Sequence, residues 1–305
     1  ILNDKDYEMF FKNTKGRSGK TIIVDKKNKE KNSLNFYVNL SNYCGQAISY
    51  IPLIYNINQK HNIEPFGYTV INMKFRPTFK ESNLNILSTC YNKEYCEKAC
   101  LTYYITIPLS SAKKGGSYSF KGRNSDEVIK YFKERSLQKP KYNKLLFRGS
   151  KNNEIRANLL QLEGEYLDFK EVNFKYDINR NEFVHLSDMM DYKYLLDIWG
   201  INGHCGRRFW LLLMNRVLFI PKEDPNKLFF EVGDNPIKEN VHFISYSINN
   251  FNELNSKVKF LEENPEEYNR IQRNCREYCE KYLKFSDLEL FVKHLLESSN
   301  KNKKN

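Results

Sequence analysis

The chain has 305 residues, a formal net charge of +12 and 14% aromatic residues. That length exceeds one ordinary core and suits two domains of usual size, and the apolar content excludes a disordered chain. No apolar run reaches the roughly 18 residues of a membrane span; the longest, Phe209 to Ile220, is interrupted by Asn215 and Arg216.

The positive charge points either to an anionic partner or to composition alone. Lys and Asn are abundant throughout, and no basic stripe with interleaved aromatics occurs. Composition is the better account, and no nucleic-acid partner is expected. Seven cysteines, at 44, 90, 96, 100, 205, 275 and 279, make an odd count that argues against a complete disulfide framework. Cys90, Cys96 and Cys100 have no nearby His and fit no zinc spacing, so no metal site is expected. Cys275 and Cys279 share a face of one expected helix but are poorly placed to bond to each other. With no apolar leader at the N-terminus, these features favour the cytoplasm over the secretory lumen.

In chain order, Thr21 to Val24, Phe36 to Leu40, Tyr68 to Met73, Asn85 to Ser88 and Leu101 to Ile107 read as strands. Ala47 to Ile57 is apolar and fits helix or strand. Ser125 to Arg135 is an amphipathic helix capped by Ser125. The polar segment Gln138 to Asn143 holds a Pro and marks a boundary, giving domains 1–139 and 140–305. Beyond it, strands and helices alternate. Lys144 to Phe147 is a strand and Glu154 to Leu162 a helix. Phe183 to Leu186 is a short strand and Ser187 to Tyr192 helical. Tyr194 to Ile198 is a strand, Arg207 to Met214 a helix and Val217 to Ile220 a buried strand. His242 to Tyr246 is a strand, followed by helices at Asn252 to Glu262, Pro265 to Leu283 and Ser286 to Leu296. Such alternation predicts a parallel sheet covered on both faces.

Two places look chemical. In Phe147-Arg-Gly-Ser150, a strand runs into a Gly turn and a helix, where parallel sheets bind ligands. Gly149 admits close backbone approach. Ser150 offers a hydroxyl near a helix start, or simply caps that helix. Arg156 supplies a forked cation. The second place is Gly200-Ile-Asn-Gly-His-Cys-Gly-Arg-Arg208, a Gly loop opening a helix. Arg there favours an anion, although the loop matches neither the dinucleotide fingerprint nor a P-loop. His204 reads as an ordinary loop histidine.

Four segments in order resemble the Rumi-type protein O-glucosyltransferases of glycosyltransferase family 90, with their capsule and lipopolysaccharide-modifying relatives. They are Phe147-Arg-Gly-Ser150 with Arg156; Val184-His-Leu-Ser-Asp188 with Tyr192-Lys-Tyr-Leu195; Gly200 to Arg207 with Leu211 to Phe219; and Asn240 to Ser245 with Leu254 and the helix from Pro265. The resemblance runs from about Leu84 to Leu283. It implies a GT-B fold, an α/β architecture of two Rossmann-like domains with the donor cleft between them. It also implies a UDP-sugar donor (glucose or xylose), a protein or glycan acceptor, inversion at the anomeric carbon and no metal or other cofactor. By position, Gly149, Ser150, Arg156, Cys205, Gly206 and Arg207 would form the UDP site. Cys205 stands where the family has Ser. Phe75 stands where it keeps its catalytic Asp, which leaves Glu81, or less readily Glu64, as candidate base. A binding domain without catalysis is the alternative.

Overall fold

The structure is a computed structural model. It describes residues 21–24, 36–39, 60–61, 69–72, 85–88, 91–92, 102–104, 125–172, 184, 186–200, 208–224, 226–227, 229–231, 235–283, 290, 293 and 297. The run Ala47–Ile57 and most of the helix expected at Ser286–Leu296 lie outside these residues.

Two compact units are present, one of Ile1–Leu109 with Phe285–Asn305 and one of Ser110–Lys284. The first contains strands β1 (Thr21–Val24), β2 (Phe36–Asn39), β3 (Thr69–Asn72), β4 (Asn85–Ser88), β5 (Tyr91–Asn92) and β6 (Thr102–Tyr104). Five of them form a sheet in the order β1-β2-β3-β4-β6, in which β1 is antiparallel and the others are parallel. Thr69-Val-Ile is β-branched, which suits the pleated surface.

The second unit alternates strands and helices. Its elements are α1 (Ser125–Ser136), β7 (Tyr142–Gly149), α2 (Glu154–Leu159), β8 (Leu167–Glu171), α3 (Leu186–Met189), β9 (Tyr192–Leu196), α4 (Arg208–Leu213), β10 (Val217–Pro221), β11 (Asn226–Lys227), β12 (Ile244–Tyr246), α5 (Glu253–Glu263) and α6 (Pro265–Tyr282), with a 3₁₀ turn at Phe229–Glu231. The sheet runs β12-β10-β9-β7-β8 and is wholly parallel. Val217-Leu-Phe-Ile-Pro221 is buried at every position, as a strand covered on both faces requires.

Side-chain alternation divides this core into two layers. Leu145, Phe147, Tyr194, Leu196, Val217, Phe219 and Ile244 belong to one cluster with Leu254, Val258 and Leu261 of α5 and Tyr268 and Ile271 of α6. The intervening Leu146, Leu195 and Leu218 are equally buried. Each such side chain contributes about 1.5–3 kcal/mol by leaving water. On α6 the buried positions Tyr268, Ile271, Cys275, Tyr278 and Cys279 follow the helical repeat, and Pro265 starts the helix at a position that needs no N–H donor. Both cysteines are free thiols, as their spacing predicts.

Two readings need correction. Leu186 opens α3 rather than closing a strand, and Tyr192 begins β9 rather than ending a helix. Strand β8 was not foreseen. It is an edge strand with Lys170 exposed and its other residues only partly buried, so its apolar signal is weak.

Candidate functional site at the carboxyl ends of the parallel strands

β7 delivers the first loop. Phe147 is buried beneath it, and Arg148 turns toward the sheet edge. Arg148 donates to the Asp168 backbone oxygen at 2.6 Å and to its carboxylate at 2.8 Å, and Tyr192 donates to the same carboxylate at 2.6 Å. Arg148 therefore braces β8 against β7. Gly149 ends the strand and Ser150 follows, half-buried. The residue that caps α2 is Asn153, whose Oδ1 accepts from the Arg156 N–H at 2.8 Å. The capping role considered for Ser150 thus falls to Asn153, and Ser150 is not used up as a helix cap.

Arg156 is 9% exposed and turns toward the loop after β9. Its Nη2 donates to the Ile198 oxygen at 2.7 Å and its Nε to the Trp199 oxygen at 2.9 Å. The guanidinium carbon lies 5.6 Å from the centre of the Phe147 ring, within cation–π range. Two glycines border it. A Cβ on Gly149 would stand 3.4 Å from Arg156 Nη1, and one on Gly200 would stand 3.6 Å from Nη2. The structure therefore brings together Gly149, Arg156 and Gly200, the first residue of the Gly loop. Asn152 joins them, its Nδ2 3.3 Å from that same Gly200 position.

Cys205, Gly206 and Arg207 lie outside the described residues, as do Phe75, Glu81 and Glu64. The flanks of the Gly loop are described. Arg208, which opens α4, is 1% exposed. Its Nε donates to Asp197 at 2.6 Å, its Nη2 to Asp224, and its Nη1 to both oxygens of Glu231 at 2.9 and 2.8 Å. Asp197 is fully buried just beyond β9, and its backbone oxygen accepts from the Tyr246 hydroxyl at 2.8 Å. Of the two adjacent arginines in the motif, Arg208 is therefore committed to carboxylates. Sequence reasoning missed Asp197, Asp224 and Glu231. The one available signal was Asp197 ending a buried strand, where a carboxylate needs a cation.

Beyond β10 and β12, Glu223 accepts from the Ser247 hydroxyl at 2.5 Å and the Ile248 N–H at 3.1 Å. Burial pushes its carboxyl upward, but these two bonds, a backbone bond of Glu223 itself and the charge of Lys222 together hold the group below its ordinary value. Glu253 accepts from the Ser247 N–H at 2.6 Å. Among the described residues no group of three or more His, Cys, Asp or Glu is placed to hold a metal ion. Among the same residues no helix is long and apolar enough to cross a membrane.

The sequence model of Glycosyl transferase family 90 matches residues 123–304, more than half of the chain and all of the site just described. The chain belongs to glycosyl transferase family 90. No curated protein sequence matches this family 90 chain closely enough to count as a relative. Among solved structures, it is similar to HepE from Anabaena in complex with UDP-glucose, with 8% identity, 86% of this chain and 79% of that chain covered, and a TM-score of 0.46. A glycosyltransferase from Rickettsia africae has 8% identity over 87% of this chain and 84% of its own, with a TM-score of 0.44. Anabaena HepE in complex with UDP has 9% identity over 81% and 76%, with a TM-score of 0.45.

Proposed function

We propose that this family 90 chain is an inverting, metal-independent glycosyltransferase that moves glucose or xylose from a UDP-sugar to a hydroxyl of a protein or glycan acceptor. The observation that carries the reading is the family match over 123–304 together with the place of Arg156, at the carboxyl ends of two parallel strands. The two-domain GT-B architecture, with residues 140–305 as the donor half, belongs to the same proposal.

The chemistry asks for cations. Negative charge develops on the departing UDP while the sugar becomes positive, and fixed donors aimed at that charge lower the barrier. In this reading Ser150, Arg156 and Arg207 hold the diphosphate, with Gly149, Cys205 and Gly206 admitting it to the backbone. A charge-assisted hydrogen bond to phosphate contributes about 1.5–3 kcal/mol. Two of the N–H groups of Arg156 already serve neutral carbonyls, so its fork is oriented before a ligand arrives. Glu81 is the base proposed to take the acceptor proton. A positioned base contributes about 10²–10⁴-fold in rate.

Calorimetric titration with UDP tests the site. The wild type is expected to bind in the micromolar range, and Arg156→Ala and Arg207→Ala each to weaken binding about tenfold or more. A folded wild type that binds no UDP overturns the donor site. Phe75, at the family's Asp position, favours a second reading, a domain that binds the sugar nucleotide without transferring it. UDP-sugar binding with no transfer to a panel of peptide and glycan acceptors, and no effect of Glu81→Gln, would select it.

A further inference from the structure

Two arginines converge on three consecutive residues at the end of β9. The Asp197 carboxylate accepts from Arg208 Nε at 2.6 Å. The Ile198 and Trp199 oxygens accept from Arg156 at 2.7 and 2.9 Å. Trp199 immediately precedes the Gly200–Arg207 segment and Arg208 immediately follows it. Arg208 therefore fastens the start of α4 to this stretch, and Arg156 fastens the same stretch to the first turn of α2.

The bond on the Arg208 side is a buried one. Arg208 and Asp197 are 1% and 0% exposed, and the remaining arms of the guanidinium are taken up by Asp224 and Glu231. Helix α4 is already anchored by the buried side chains of Phe209, Trp210, Leu211 and Leu212. Holding the helix onto the sheet does not call for a buried ion pair, and burying one is seldom a source of stability. What the pair adds is a fixed angle and register at the point where the chain enters the helix, because a guanidinium bonded on every arm has one geometry.

We propose that Arg208, acting through Asp197, is a positioning residue for the donor site. It touches no substrate. It fixes Asp197 and with it the adjoining Ile198 and Trp199 carbonyls, which orient the Arg156 guanidinium for the diphosphate. This rests on the donor reading above and adds a residue outside the ligand set of that reading.

The test is UDP titration of Asp197→Asn, Arg208→Lys and Val258→Ala, each well below its own unfolding midpoint. Asp197→Asn keeps the shape and removes the charge. Arg208→Lys keeps the charge and loses the fork. Val258 is buried on α5, outside these loops, and sets the change in affinity that lost stability alone produces. Asp197→Asn and Arg208→Lys are expected to weaken UDP binding about tenfold or more, and Val258→Ala less than about threefold. If Asp197→Asn and Arg208→Lys are destabilised but bind UDP as the wild type does, the pair is merely structural and the inference falls alone. Should Arg208→Lys fail to fold, Asp197→Asn decides by the same criterion. A wild type that binds no UDP removes the donor reading and this inference together.

Discussion

Arg156 Nε donates to the backbone oxygen of Trp199 at 2.9 Å, across 43 residues of sequence. With the Nη2 bond to Ile198, it makes Arg156 a bridge between the first turn of α2 and the loop after β9. A lysine has a single ammonium and cannot reach both carbonyls in the plane that the guanidinium fork provides. Arg156→Lys is therefore expected to behave like Arg156→Ala rather than like the wild type, losing about tenfold or more in UDP affinity despite the retained charge. Titration of the three proteins side by side checks this; a lysine variant within threefold of the wild type would show that charge alone suffices.

Gly149 is required by space. A Cβ there would meet Phe147 Cζ at 2.8 Å and Arg156 Nη1 at 3.4 Å. The Phe147 ring is held in the core and cannot retreat freely. Gly149→Ala is expected to cost about 1–3 kcal/mol by overpacking and to displace the guanidinium. Thermal unfolding reads the first effect and UDP titration the second. Gly164→Ala, where the close atom is Asn255 Oδ1 at 2.6 Å, serves as a comparison: it should lower stability with little effect on UDP.

The strands that make the site were legible because they are apolar and buried on both faces. Lys144–Phe147, Tyr194–Ile198 and Val217–Ile220 differ from β7, β9 and β10 only at their ends. The edge strand β8 was not legible, because Asp168 and Lys170 interrupt its pattern and Asp168 is explained only by partners on two other strands, Arg148 and Tyr192. The motif arginines show a different limit. Nothing local in the sequence marks Arg208 as the one that turns inward, because the carboxylates that receive it come from positions 197, 224 and 231. Asn153 was readable as a cap from its place one residue before Glu154, but Ser150, part of a recognisable motif, drew the reading instead.

Arg216 fastens α1 to the sheet. It is 1% exposed and donates to the oxygens of Met190 at 2.9 Å, Ser136 at 3.2 Å, Asn215 at 3.3 Å and Gln138 at 2.9 Å. Burial lowers its pKa from the ordinary arginine value. Ser136 closes α1, so the cation also sits at the negative end of a helix dipole. Arg216→Ala would leave these buried carbonyls without their donor, at an expected cost of about 2–4 kcal/mol. Urea unfolding measures it. Arg216→Lys should recover only part, since an ammonium cannot serve acceptors spread over three segments.

His242 sets a pH dependence whose sign follows from its surroundings. Its Nδ1 accepts from the Lys238 N–H at 2.9 Å, and its ring lies 4.8 Å from that of Tyr278. Burial first, and then the charge of Lys238, hold its pKa below the usual 6.5. Protonation would also place a proton on the nitrogen that accepts the Lys238 bond. The unfolded chain therefore binds a proton at a higher pH than the folded chain does. Between the folded pKa and about 6.5 the unfolded state carries more protons, so this contribution is fully present above about 6.5 and is lost as pH falls through that window toward the folded pKa. Other groups shape the full profile, so the prediction concerns a difference. On going from about pH 7 to about pH 5, the urea midpoint of the wild type should fall further than that of His242→Gln, which keeps an acceptor and cannot titrate there. Following the His242 ring by NMR should give a midpoint below 6.5. Parallel midpoints in the two proteins, or a ring that titrates above 6.5, would mean that the Lys238 bond does not hold the imidazole neutral.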